Sequence, residues 1–418
     1  MKIKRDQYLE KLKSKKFNGM VKVITGIRRC GKSYLLNELF YEHLLSNGNN
    51  RNHIMRIDME DIENKWLSDA AQLNAFIRNQ ISDNDNYFLI IDEVQEIKDF
   101  VPLLNSLIKI KNLDIYVTGS NSKFLSSDII TEFRGRGDRV YIRPLSFREF
   151  YAAENDNFKE ALKKYLWFGG MPYIMSLKKD EEKSEYLKNL FDEIYLRDIK
   201  NRYKIRSNRH LEEILDILSS SVGSLTNPAK LENTFKSRNN AKLSVNTINS
   251  YLKILEESYI SEKAQRYDIK GKRYIGSLRK YYFTDLGLRN ARLNFRQIEE
   301  THLMENLIFN ELRERGFNID IGIVEINEQN ASGSYDRKQI EIDFVANQFK
   351  ERLYIQSAWS ITSNDKEKQE KRPLINTKDS FRKIIITGDD IKPKTDDNGI
   401  ITISLRDFLL GDNAFRNL

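Results

Sequence analysis

The sequence predicts an α/β protein with a mostly parallel sheet covered on both faces, followed by further folded units. Three observations lead there. Between about 20 and 150, short β-branched runs alternate with helical stretches. One of those runs leads directly into a glycine-bearing loop and a helix. Beyond about 209 the pattern reads helix, helix, helix, strand pair, and then a second group of helix and strands. Strands separated by helices pair in parallel, and parallel sheets are buried on both faces.

The strands of the first stretch fall at 21–25, 53–57, 87–91, 115–118 and 139–142. Helical periodicity follows, as at 157–168 and 186–198. The strand pair is expected at 258–266 and 279–284, a long helix at 302–315, and later strands at 319–326, 339–347, 352–357 and 383–387. The charge run at 362–371 reads as a solvated helix or loop. With 418 residues, and about 150 per domain as a prior, two or three domains are expected. A 40% hydrophobic content supplies cores and excludes wholesale disorder.

Other classes drop out on composition. The single cysteine, Cys30, excludes a disulfide scaffold and a cysteine-built zinc site, and four histidines leave little for a histidine centre. No apolar run reaches the roughly 18 residues of a membrane helix. The basic stretch 1–16 lacks the apolar segment of a secretory signal. A cytoplasmic protein with no membrane partner is therefore expected. Lys plus Arg is 69 against 61 for Asp plus Glu, and the excess of +8 suits an anionic partner without naming one.

The most informative segment is Gly26, Ile27, Arg28, Arg29, Cys30, Gly31, Lys32, Ser33, which matches G-x-x-x-x-G-K-[ST] between a strand and a helix that begins at Tyr34. Gly26 and Gly31 let the backbone curl so that successive N–H groups face phosphate oxygens. The helix that follows aims its positive end at the same anion. Lys32 would reach the β and γ phosphates of ATP, and the Ser33 hydroxyl would ligate Mg2+. The run 88–91 then ends in Asp92 and Glu93. Asp92 can hold Mg2+ through water, and Glu93 can polarise an attacking water. The next strand ends at Thr118, Gly119, Ser120 and Asn121, where Thr118, Ser120 or Asn121 could sense the terminal phosphate. Three arginines lie within 132–139, and Arg136 is the candidate for stabilising transferred charge, in its own chain or in a neighbour.

These segments, with 133–137, 144–150 and Gly169-Gly170-Met171-Pro172, resemble a prokaryotic AAA-type ATPase family, the archaeal-type ATPases. Segments 194–198 and 280–288 extend the resemblance over nearly the whole chain. It implies an ASCE-type P-loop NTPase core, Lys32 and Ser33 on phosphate and magnesium, Asp92 on magnesium, and Glu93 as the catalytic carboxylate. It also implies a helical lid holding Gly169 to Pro172, and a C-terminal region catalogued as domain of unknown function 4143. Residues 1–150 are then the ATPase core and 151–207 the lid.

Residues 208–296 read as a winged-helix domain. Asn227 caps a helix with Pro228 in its first turn, and Ser244 caps another. That last helix buries one apolar face and presents Asn246, Thr247 and Asn249, as a recognition helix does in a DNA major groove. Lys270, Lys272 and Arg273 form a basic hairpin tip suited to phosphate backbone. Residues 297–418 resemble a degenerate restriction-endonuclease-like PD-(D/E)XK unit, with Glu305 on a helix, Asp343 on a strand and Gln356 on the next. Gln356 replaces a carboxylate and Ala358 replaces the lysine, so binding or assembly is expected rather than cleavage.

The leading expectation is an Mg2+-dependent ATPase that acts as a nucleotide-driven switch, with DNA as a partner through the winged helix. Two alternatives stand beside it. One is a STAND-like signalling ATPase with protein partners and self-assembly; the other is an ATP-regulated nuclease.

Overall fold

The computed structural model describes residues 2–119, 135–154, 156–205, 208–239, 243–329 and 333–411. Its described helices and strands fall into two compact units, Met1–Pro144 with Glu257–Tyr259, and Leu145–Glu256 with Ile260–Leu418.

The first unit holds strands β1 (Val21–Thr25), β2 (Ile54–Asp58), β3 (Tyr87–Asp92), β4 (Leu113–Thr118) and β5 (Gly137–Tyr141). They form one parallel sheet in the order β2-β3-β4-β1-β5. The strand that leads into the glycine loop and the strand that ends in Asp92 are thus separated by β4, which ends in Thr118. Every residue of β1, β3 and β4 is buried, as apolar central strands demand. Val21, Val23, Leu89, Ile91, Ile115 and Val117 share one face with Leu73, Ile77 and Leu104 of the neighbouring helices. On the other face Phe40 packs against Tyr116, ring centroids 4.5 Å apart. That face also contains a pair no hydropathy pattern signals, Lys22 and Asp114, wholly buried and hydrogen-bonded together. Tyr116 donates to the second Asp114 oxygen at 2.8 Å, so the buried charges are satisfied.

The second unit begins with helices Phe147–Ala153, Phe158–Phe168 and Asp180–Asn189, the last running on through a π turn, Leu190–Leu196, into Arg197–Tyr203. Helices Asn208–Ser220, Pro228–Asn239 and Val245–Glu257 follow. The predicted caps are present: Asn227 Oδ1 accepts from Lys230 N at 2.6 Å, and Ser244 Oγ accepts from Thr247 N at 3.2 Å. Strands β6 (Ser261–Asp268) and β7 (Arg273–Phe283) form a hairpin longer than the sequence suggested. The pairing continues past a bulge after Gln265, where Tyr267 meets Tyr274.

Beyond helices Leu286–Arg292 and Glu300–Glu314 come β8 (Asn318–Gln329), β9 (Tyr335–Gln348), β10 (Glu351–Ala358), β11 (Arg382–Thr387), β12 (Lys394–Thr395) and β13 (Ile400–Ser404). These strands and the hairpin form one eight-stranded mixed sheet, β12-β13-β11-β10-β9-β8-β6-β7. Parallel pairing of Arg266–Asp268 with Ile321–Ile323 joins the hairpin to the C-terminal strands. The boundary drawn at 297 from sequence therefore runs between elements of a single sheet. The charge run is a helix, Asn364–Ile375, capped by Ser363.

The segments expected in a lid lie in this second unit, where they meet the 280–288 segment. Asp285 accepts from Gly170 N at 2.7 Å and from Leu288 N at 2.9 Å. Gly169 has φ +69°, and a Cβ there would stand 2.4 Å from Asp285 Oδ1, so glycine is needed to let the carboxylate in, while a Cβ at Gly170 would meet Leu145 O at 2.1 Å. Asn290 donates to the carbonyls of Leu166 and Trp167, which fixes the end of the Phe158–Phe168 helix. Burial pushes the Asp285 carboxyl up to about 6, although three backbone N–H groups oppose the shift.

Candidate nucleotide site

The glycine loop leaves the C-terminal end of β1 and returns to a helix that is α at Lys32–Tyr34, π at Leu35–Phe40 and α again at Tyr41–Ser46. Gly26 is indispensable to the curl, because a Cβ would lie 2.2 Å from Ile142 O. Gly31, at φ +99°, turns the chain into the helix. Lys32 is buried and donates to the carbonyls of Gly26, 3.2 Å, and Ile27, 3.3 Å. Its ammonium thus lies across the loop, on two backbone carbonyls. Arg28 pairs with Glu60 at 3.5 Å, Arg29 and Ser33 are exposed, and the Tyr34 hydroxyl bonds to backbone of Ile3. Cys30 is buried with its Sγ 3.6 Å from Ile142 O, and burial pushes its thiol up, as suits a packing residue.

Asp92 closes β3 facing this loop. Burial pushes its carboxyl up, while hydrogen bonds from Thr118 and Ser33 oppose the shift. Thr118 joins the two acids: its hydroxyl donates to Asp92 Oδ1 and accepts from Glu93 N at 3.1 Å. Glu93 adopts φ +53° and its carboxylate accepts a hydrogen bond from Gln95. A left-handed glutamate is a costly conformation, held here by those two bonds. Ser33, Thr118, Asp92 and Glu93 therefore meet at one end of the sheet.

Sequence reasoning missed several residues here. Asn37 donates to Asp92 Oδ2 at 3.4 Å, and its position four residues after Ser33 on the helix was the available signal. Asp58 stands beside Asp92 in register on β2. Glu60 is pushed up by burial and by the charge of Glu93, with Arg28 opposing. Arg5 is buried and donates to Cys30 O at 3.2 Å and Arg143 O at 2.7 Å, bracing the loop from the N-terminal stretch.

Other expected residues lie elsewhere. Ser120 and Asn121 are outside the described residues. Arg136 is exposed, and its carbonyl accepts from Val21 N at the start of β1, whereas the glycine loop follows the end of that strand. The parallel register of β5 thus places Arg136 by the start of β1, at the end of the strands away from the glycine loop. Asn246 and Asn249 are exposed and Thr247 is half-buried on the Val245–Glu257 helix. Lys270, Lys272 and Arg273 are exposed at the hairpin tip. Glu305, Asp343 and Gln356 do converge, together with Glu341, two residues before Asp343 on the same strand, and with Lys280, which the sequence did not place in that group.

Residues 18–151 match a family model described as an AAA domain. Residues 159–299 match a domain of unknown function (DUF8612), which corrects the number 4143 that the motif resemblance suggested. An uncharacterized protein of Haemophilus influenzae is 34% identical over 98% of this chain and 98% of its own length. An uncharacterized protein of Methanocaldococcus jannaschii is 29% identical over 84% of this chain and 77% of its own length. Among solved structures, the Aeropyrum pernix Orc1 protein in complex with DNA aligns with 70% of this chain and 92% of that chain, at 10% identity and a TM-score of 0.30. No helix among the described residues is long and apolar enough to cross a membrane.

Proposed function

The chain belongs to the family of AAA-domain proteins that includes its Haemophilus influenzae relative, and on that premise we propose that it is an Mg2+-dependent ATPase working as a nucleotide-driven switch. The observation that carries this reading is the convergence of Lys32, Ser33, Asp92, Thr118 and Glu93 at one end of the parallel sheet. A Ser hydroxyl within hydrogen-bonding reach of a buried Asp carboxylate suits Mg2+, a hard ion that takes oxygen ligands. When bound, Mg2+ would supply charge neutralisation at the phosphates. Ser33 and Asp92 would hold it, and the Lys32 ammonium would leave the loop carbonyls for phosphate oxygens. Glu93, held by Gln95 and Thr118, would take the proton of the attacking water at its carboxylate.

The test separates binding from turnover. Glu93→Gln should bind ATP like the wild type while hydrolysis falls on the order of 100-fold. Equal turnover by the two proteins would remove Glu93 from the reaction.

DNA is the partner we favour. The exposed Asn246 and Asn249 lie on the capped Val245–Glu257 helix, and three exposed cations crown the β6–β7 tip. If this surface takes DNA, affinity must fall steeply with salt, and Lys272→Ala should flatten that dependence. Arg136, at the end of the strands away from the loop, would serve the nucleotide of another copy.

A further inference from the structure

The nuclease-like order of the C-terminal strands implies a divalent metal on Glu305, Asp343 and the residue at 356. The side chains there do not fit one. Lys280 of β7 projects among the acids, with Nζ 2.6 Å from Glu341 Oε1, 2.9 Å from Glu305 Oε1 and 3.9 Å from Asp343 Oδ1. Only 5% of its side chain is exposed, against 11% for Glu305 and 13% for Asp343.

Three acceptors of the cluster also face donors of the chain itself. The Tyr282 hydroxyl donates to Glu305 Oε1 at 2.7 Å. Ser357 N donates to Asp343 Oδ2 at 2.8 Å, and Asp343 N donates to Gln356 Oε1 at 3.3 Å. Glu305 Oε2 is pressed towards Gly223, where a Cβ would stand 3.1 Å away. Mg2+ needs near-octahedral oxygens at about 2.0–2.1 Å. Here Glu305 Oε1, Glu341 Oε1 and both Asp343 oxygens already face the ammonium, a hydroxyl or a backbone N–H, and position 356 offers a neutral amide.

Electrostatics agrees with the geometry. Burial alone would lower the lysine, but the charges of Glu305, Asp343 and Glu341 outweigh it and hold Lys280 protonated. A buried ammonium shared by carboxylates from a helix and a strand cannot be withdrawn without leaving those acids unpaired.

We infer that Lys280 is a built-in counter-cation, standing where a divalent metal would have to go, so that the cluster joins the Glu300–Glu314 helix to β7 and β9 and does not hydrolyse phosphodiesters. The lysine that Ala358 fails to supply is thus present from another strand, in a bonding role. Removing the ammonium leaves three acids facing one another, a set that would then recruit a divalent ion.

Thermal unfolding of the full-length, nucleotide-free protein with and without millimolar Mn2+ tests this. Wild type and Asp343→Asn should respond to Mn2+ alike. Lys280→Ala should gain an Mn2+-dependent rise in melting temperature that Asp343→Asn removes when combined with it. Lys280→Gln, closer in length, should gain the same rise. A wild-type stabilisation by Mn2+ that Asp343→Asn abolishes would overturn the inference, as would Mn2+-dependent DNA cleavage lost in Asp343→Asn. A folded lysine variant without the gain also contradicts it. Should neither lysine variant fold, the wild type and Asp343→Asn pair decides alone.

Discussion

Lys32 donates to the carbonyls of Gly26 and Ile27. The loop itself was legible in the sequence because Gly26 and Gly31 each have a local backbone reason to stand where they do. Thr118 was legible only as a strand-end residue; its two hydrogen bonds, to Asp92 and from Glu93 N, depend on β4 lying beside β3, which no local pattern encodes. Arg5 was illegible altogether, since its partners, Cys30 and Arg143, are far away in sequence. Burial pushes the Asp285 carboxyl up to about 6, so the folded chain holds that proton more tightly than the unfolded one. Stability from this group is complete below the ordinary carboxylate range and is lost as pH rises through about 6, a change of about 3 kcal/mol. Urea unfolding from about pH 4 to about pH 7 should show this fall in the wild type and not in Asp285→Asn. Parallel profiles would contradict it.

At the scale of elements, the parallel strands and the two helix caps at Asn227 and Ser244 follow directly from pattern and residue type. The hairpin was underestimated because charged and small residues occupy its outer turn, yet edge pairing tolerates them when one face is solvated. The glycine loop is an element whose shape depends on the end of β5: Ile142 N donates to Thr25 O at 2.7 Å, and Ile142 O crowds Gly26. Gly26→Ala should therefore force the loop and that strand apart. It should lower the melting temperature, at a cost of about 1–3 kcal/mol, and weaken ATP binding as well. An alanine variant with unchanged melting temperature and unchanged affinity would show that the loop has room the structure denies.

For the whole molecule, the α/β core was readable because the phosphate loop, the Asp92 strand and the alternation of elements all agreed. The division of the second half was less readable. Helical and strand patterns reveal elements, but the partner of a strand edge is settled by tertiary pairing, and β6 pairs with β8 across the expected boundary. A fragment ending at residue 296 should consequently fail to fold as an independent winged-helix protein. It would expose the β6 edge at Arg266–Asp268 and strip cover from Tyr282 and Phe283, both fully buried in the complete chain. Gel filtration of fragment 1–296 should find aggregate; a monomer with a cooperative unfolding transition would contradict the continuous sheet.

The central claim, that the Gly26–Ser33 loop is an ATP site, is tested most directly by calorimetric titration of Mg-ATP into the wild type and Lys32→Ala. The wild type should bind, and the variant, deprived of its charge-assisted bonds to phosphate, should bind at least about tenfold more weakly. Undiminished binding by Lys32→Ala would contradict the assignment.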